Sequence, residues 1–215
     1  MQIAIAGGHG KIALILTRLL SDRGDRVVSM VRDPDQAGDV TEAGGEPVVV
    51  DLEHSSDDQL DRVLTGCDAV VFAAGAGPGS GAARKESVDY AAAVSLIEAA
   101  RRTGVRRYVM ISASGADPDA AGDEVFAVYL RAKGRADREL ASSGLDFTII
   151  KPVGLTDQPG TGQVATNEPS LTGQVSREDV AAVVAEALGR DDSIGATFRM
   201  SAGTTPIPDA IGSVS

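Results

Sequence analysis

The sequence predicts an α/β fold with a doubly wound parallel sheet, and three observations carry that reading. Short β-rich runs alternate with longer stretches of helical periodicity along the chain. The first run, Ile3-Ala4-Ile5-Ala6, is continuously apolar in the manner of a buried strand and ends in glycine. The length, 215 residues, suits one ordinary domain with a core of its own. Strands that alternate with helices imply a parallel sheet covered on both faces. Right-handed crossovers then put ligands at the carboxyl ends of the strands.

The elements follow in order. After the first strand, Ile12, Ile15, Leu16, Leu19 and Leu20 form one apolar face of a helix from Lys11 to Asp22, closed by Gly24. Val27 to Val31 is the second strand, stopped by Asp33-Pro34, and Pro47 to Val50 is the third, ending at Asp51. A short helix spans Asp57 to Leu64, and Ala69 to Ala73 is the fourth strand. A long Ala-rich helix from Lys85 to Arg102 ends at Thr103-Gly104, and Arg107 to Ile111 is the fifth strand. Glu124 to Ser142 is helical, and Asp146 to Lys151 is a sixth strand stopped by Pro152. Ser176 caps a helix running to Leu188, with Asp179 in the place of the usual Glu of a capping box. A last strand lies near Thr197 to Met200. Residues 1–215 thus read as one domain. Its substrate-side lid segments, 75–84 and 154–170, are rich in Gly and Pro and follow strands; surface slack is the plainer alternative. In the second of these, Asp157, Gln158, Asn167 and Glu168 carry the decided chemistry.

Composition removes several classes of function. Lys and Arg number 20 against 31 Asp and Glu, a net charge of −11 that repels a phosphate backbone, so no nucleic-acid partner is expected. The one basic cluster, Arg101, Arg102, Arg106 and Arg107, reads as a solvent-facing helix end. A single cysteine, Cys67, cannot form an internal disulfide, and two distant histidines give no metal site. No apolar run reaches membrane-spanning length and the first residues do not resemble a signal peptide, so the cytoplasm is the expected compartment. No helix shows an extra apolar stripe, which suggests a monomer or weak homodimer.

The chemistry is concentrated at strand ends. Gly7-Gly8-His9-Gly10-Lys11-Ile12-Ala13 lies between the first strand and first helix, where a dinucleotide fingerprint belongs. Gly7 permits the tight turn, Gly10 opens the helix N-terminus to a pyrophosphate, and Ala13 allows close helix–strand packing. Arg32 ends the second strand, where a cation suits the 2′-phosphate of NADP; a solvated Arg is the alternative, and Asp33 could turn to a free ribose. Asp51 could accept from an adenine amino group beside an apolar wall at Leu52, or could simply end a strand in a turn. Ala73-Ala74-Gly75 would let a cofactor lie against the backbone. Tyr129 and Lys133 share one helix face at i and i+4. The ammonium and a positively charged nicotinamide would draw the phenol toward its anion; the alternative is a core Tyr with a solvated Lys. Ser114, after the fifth strand, could hold a substrate oxygen beside Tyr129, while Ser112 reads as structural; a turn role for both is the plainer view.

These motifs, with Val31-Arg32-Asp33-Pro34 and the stretch Lys151 to Thr156, resemble the short-chain dehydrogenase/reductase superfamily. More narrowly, the chain is similar to a compact atypical NAD(P)H-binding branch of Rossmann fold, related to biliverdin reductase B and flavin reductases. The resemblance implies that Tyr129 is the proton donor or acceptor, that Lys133 binds the nicotinamide ribose and lowers the Tyr pKa, and that Ser114 orients the substrate. It also places Pro152 and Val153 against the nicotinamide. Extended relatives carry a larger C-terminal substrate domain, which this chain is expected to lack. The leading expectation is therefore an oxidoreductase using NADP(H), with NAD as the alternative, acting on a small carbonyl, quinone or conjugated acceptor. A non-catalytic NADP(H)-binding regulator and an NAD-dependent isomerase or epimerase are the competing readings.

Overall fold

The computed structural model describes residues 1–77, 79–166 and 171–214. Eleven strands lie among them: β1 (Gln2–Ala6), β2 (Arg26–Val31), β3 (Glu46–Val49), β4 (Ala69–Phe72), β5 (Arg107–Ile111), β6 (Asp146–Pro152), β7 (Gly154–Thr156), β8 (Gln163–Thr166), β9 (Gln174–Ser176), β10 (Thr197–Ala202) and β11 (Thr205–Pro206). The helices are α1 (Lys11–Asp22), α2 (Ala37–Glu42), α3 (Asp57–Leu64), α4 (Ala82–Arg84), α5 (Ala93–Thr103), α6 (Val125–Ser142), α7 (Arg177–Leu188) and α8 (Ile207–Gly212). The main sheet runs β3-β2-β1-β4-β5-β6-β10 in parallel, and β8 and β11 extend it antiparallel at the far edge. This is the doubly wound α/β fold of the sequence reading.

Successive side chains of the strands serve opposite faces. Ile3 and Ile5 belong to the core under α1, α7 and α8, whereas Ala4 and Ala6 belong to the core under α3, α5 and α6. The apolar face of α1 explains its position: Leu16 and Leu20 are fully buried, each worth about 1.5–3 kcal/mol, and Gly24 at φ +90° ends the helix by donating to Ser21 O.

Several local expectations change. The helix expected from Lys85 begins at Ala82 and passes through a π-helical stretch, Lys85–Ala92, before α5. Wider turns of this kind often accompany functional sites, and this one holds Lys85 and Asp89. β6 continues through Pro152 rather than stopping before it, since the Pro152 carbonyl accepts from Ser114 N at 2.9 Å and Met200 is its register partner. Ser176 Oγ accepts from Asp179 N at 2.9 Å, but Asp179 does not complete a capping box. Its side chain is one methylene shorter than Glu, and its carboxylate accepts from Thr161 N, Gly162 N and Ser176 Oγ instead. Arg107 is buried rather than solvent-facing. It donates to Asp146 O, Thr148 Oγ1, Ala187 O and Ser193 Oγ, tying β5 to the end of α7. The segment 154–170, expected as a lid, contains β7 and β8; of its chemistry, Asn167 and Glu168 lie outside the described residues.

One close approach positions the loop after β5. A Cβ on Gly134 of α6 would overlap Pro118 N and Asp117 C, so only glycine lets residues 115–118 settle on this helix. Gly134→Ala is therefore expected to destabilise the chain by about 1–3 kcal/mol in urea unfolding, despite the better helix propensity of Ala. Wild-type stability in this variant would refute the close packing.

Candidate functional site

The turn after β1 is built from glycines for steric reasons. Gly7 has φ +80°, and a Cβ there would stand 2.6 Å from Ala74 Cα. Gly8 donates to Met30 O at 2.8 Å, and its Cβ would stand 2.6 Å from Ser29 Cβ. Gly10 donates back to Gly7 O and forms the N-cap of α1 with no side-chain cap and no acid in the first turn. The first-turn amides of Lys11, Ile12 and Ala13 thus combine with the positive helix end into a place for an anion. Ala13 is fully buried, as close packing of α1 requires.

A cleft of about 290 Å³ opens beside this turn. Of the expected residues, Gly7, His9, Gly10, Arg32, Asp51, Leu52, Ala73, Ala74 and Gly75 line it. Gly8, Lys11 and Ile12 belong to the turn but not to the cleft wall; the Lys11 ammonium is drawn 2.6 Å from Asp157, and His9 lies 2.6 Å from Asp39. The Asp33 carboxylate accepts from Asp35 N and caps the turn at Pro34–Gln36. Asp51 accepts from His54 Nδ1 at 2.9 Å and Glu53 N at 3.0 Å, and the His54 hydrogen bond leads in holding its carboxyl below the usual range. Sequence reasoning missed Glu53 and Arg84 on the same wall. Arg84 pairs with Glu53 at 2.6 Å and lowers its pKa, Ser87 donates to it, and Arg32 stands 4.0 Å away, more than half exposed.

The second group lies on the β5 side of Ala74. Lys133 is not solvated: only 4% exposed, it donates to Ala74 O and Ile111 O at 3.3 and 3.2 Å and stands 3.5 Å from Asp89 Oδ1. Asp89 is fully buried; Oδ2 accepts from Ala76 N, while Oδ1 has no hydrogen-bond partner among the described residues. The spacing of Lys85 and Asp89, four residues apart, was a signal that could have found this carboxylate. Burial pushes the Tyr129 phenol up, Lys133 opposes that, and Asp89 and Asp137 reinforce it. Burial outweighs Lys133 here, so the protein alone holds the phenol protonated instead of drawing it to its anion. The Tyr129 ring has Lys85 Nζ 5.2 Å above it and the Phe126 ring 6.0 Å away.

Ser114 donates its amide to Pro152 O, and its hydroxyl accepts from Arg199 Nε at 2.7 Å. Val153 follows in the same strand connection, donating to Met200 O. Ser112 has the structural role expected of it, donating to Asp137, which also pairs with Lys151 at 3.0 Å. Among the described residues no hydrogen bond joins Tyr129 to Ser114 or Lys133, and no group of three or more His, Cys, Asp or Glu could hold a metal ion.

A sequence model described as NAD(P)H-binding matches residues 7–191. The chain belongs to the NAD(P)H-binding family. It is 36% identical to YhfK of Bacillus subtilis (strain 168), named an uncharacterized sugar epimerase, over 98% of this chain and 99% of that one. Among solved structures it is similar to a Bacillus halodurans protein described provisionally as an NAD-dependent epimerase/dehydratase, with a TM-score of 0.91, 36% identity and 98% of each chain covered. The oxidoreductase ylbE from Lactococcus lactis is 28% identical, with a TM-score of 0.84 over 100% of this chain and 96% of its own. The glycine turn, the uncapped helix end and the cleft fit the nucleotide of such a cofactor. No helix among the described residues is long and apolar enough to cross a membrane.

The Asp51–His54 pair sits at the edge of the cleft and gives a pH signature. Asp51 raises the His54 pKa above its ordinary value of about 6.5. The imidazolium pairing is complete below that value and is lost as pH rises through the shifted pKa. A proton NMR titration is expected to place the His54 midpoint above about 6.5, with Asp51→Asn returning it there. Equal midpoints in both proteins would show that the pairing is absent.

Proposed function

We propose that the chain is an NADP(H)-dependent oxidoreductase acting on a small carbonyl, quinone or conjugated acceptor, with Tyr129 as acid and base. The observation that carries this reading is the half-buried phenol of Tyr129 beside the buried Lys133–Asp89 pair, across Ala74 from the cleft. When bound, the nicotinamide supplies hydride to, or takes it from, substrate carbon. The uncapped end of α1 and the Gly7–Gly10 turn would hold the pyrophosphate, and Leu52 would wall the adenine. Asp33 and Asp51 are committed to internal partners, which leaves the exposed guanidinium of Arg32 to meet a 2′-phosphate. Pro152 and Val153 would back the nicotinamide. In the reducing direction the Ser114 hydroxyl holds the substrate oxygen and Tyr129 donates its proton there as the carbon accepts hydride. An alcohol forms, and solvent returns the proton to Tyr129.

Tyr129→Phe is expected to lower kcat by about 100-fold or more while leaving the NADPH dissociation constant nearly unchanged. Unchanged turnover in steady-state assays would take Tyr129 out of the mechanism.

The position of Lys133 favours a second reading. Its ammonium is spent on two carbonyls and Asp89, which suits a protein that binds NADP(H) and reports redox state to another protein without turnover. That protein would bind cofactor tightly, oxidise no NADPH with any acceptor, and yield a partner by pull-down. An epimerase, the activity in the name of YhfK, would purify with NAD and show no net redox change.

A further inference from the structure

Arg199 is a cation that the proposed reaction has not used. It lies in β10 beside Lys151 of β6 as its register partner. Lys151 is neutralised by Asp137 at 3.0 Å, but Arg199 has no carboxylate within 4.0 Å among the described residues. Its Nε donates to Ser114 Oγ and one terminal nitrogen donates to Leu171 O, both at 2.7 Å. Its other donors make no hydrogen bond within the described residues. Arg107 shows what a purely structural guanidinium looks like in this fold: deeply buried and spread over four acceptors. Arg199 is half-buried and under-used, and its partner is the hydroxyl assigned to the substrate oxygen.

The surroundings define what would meet it. Ser114 leads into Gly115, which lies against Leu130, the neighbour of Tyr129 on α6. One turn earlier, Phe126 is 67% exposed and its ring lies 6.0 Å from that of Tyr129. A chain of net charge −11 repels small anions at long range, so an anionic substrate needs a local, unpaired cation. A guanidinium fork presents paired donors that match a carboxylate.

We propose that Arg199 binds a carboxylate on the substrate, so that the acceptor is an anionic molecule with an apolar, aryl-like body and its reducible group beside Ser114 and Tyr129. This rests on the oxidoreductase reading for the reaction, but not for the binding.

The test titrates the full chain calorimetrically, with and without NADP+, using 4-carboxybenzaldehyde and benzoylformate, each against its methyl ester. At least one acid is expected to bind about 10-fold or more tightly than its ester. Arg199→Gln is expected to abolish that difference and Arg199→Lys to keep part of it, since the charge remains. No acid outcompeting its ester, or a preference that survives Arg199→Gln, would overturn the proposal. NADPH oxidation is followed separately with the same compounds. An Arg199-dependent acid preference without oxidation of NADPH by any of them would sink the oxidoreductase reading and leave the carboxylate site standing.

Discussion

The turn after β1 has almost no room, and the rest of the site follows from that. Gly7 passes 2.6 Å, measured from the Cβ it lacks, from the backbone of Ala74, and Gly8 is equally close to Ser29. The chain can cross there only without side chains, which brings the ends of β1, β2 and β4 together under the N-terminus of α1. The same crowding makes the cleft: small residues on the β4 end leave space that longer ones would fill, and the uncapped helix end supplies the field for an anion. Ala74 also works on its other side, where its carbonyl accepts from Lys133. One residue thus joins the nucleotide cleft to the cluster of Tyr129, Lys133 and Asp89.

Charge is arranged by commitment. The acids nearest the cleft are already engaged: Asp33 by its own turn, Asp51 by His54, Glu53 by Arg84 and Ser87. Arg32 on the cleft wall and Arg199 beside Ser114 keep donor capacity, so an acidic protein retains two cationic points. Asp89 and Lys133 are buried together, and one oxygen of Asp89 accepts no hydrogen bond among the described residues. A polar pair held this way has a desolvation cost that tight packing must offset, which is more readily understood at a working site than in a passive core.

Elements with strong periodicity or firm punctuation were legible in the sequence. α1, α3, α6 and α7 and the parallel strands fall within a few residues of their expected bounds, because apolar spacing and glycine stops dominate there. The elements that escaped are short or held by distant partners. β7, β9 and β11 have two or three residues, and β8 exists because β10 pairs with it across the chain. α2 contains Gly, Asp and Thr, which carry little helix propensity. The glycine turn was readable because one short run carries it. Three further residues were not: Asp89, Glu53 and Arg199 gain their meaning from residues that are 44, 31 and 85 positions away, Lys133, Arg84 and Ser114.

Side-by-side titration of the purified protein with NADPH and NADH, followed by nicotinamide fluorescence, tests the central claim most directly. The account predicts saturable binding of both, tighter for NADPH, with the difference removed by Arg32→Ala. Binding of neither would contradict it, since the glycine turn would then hold no dinucleotide.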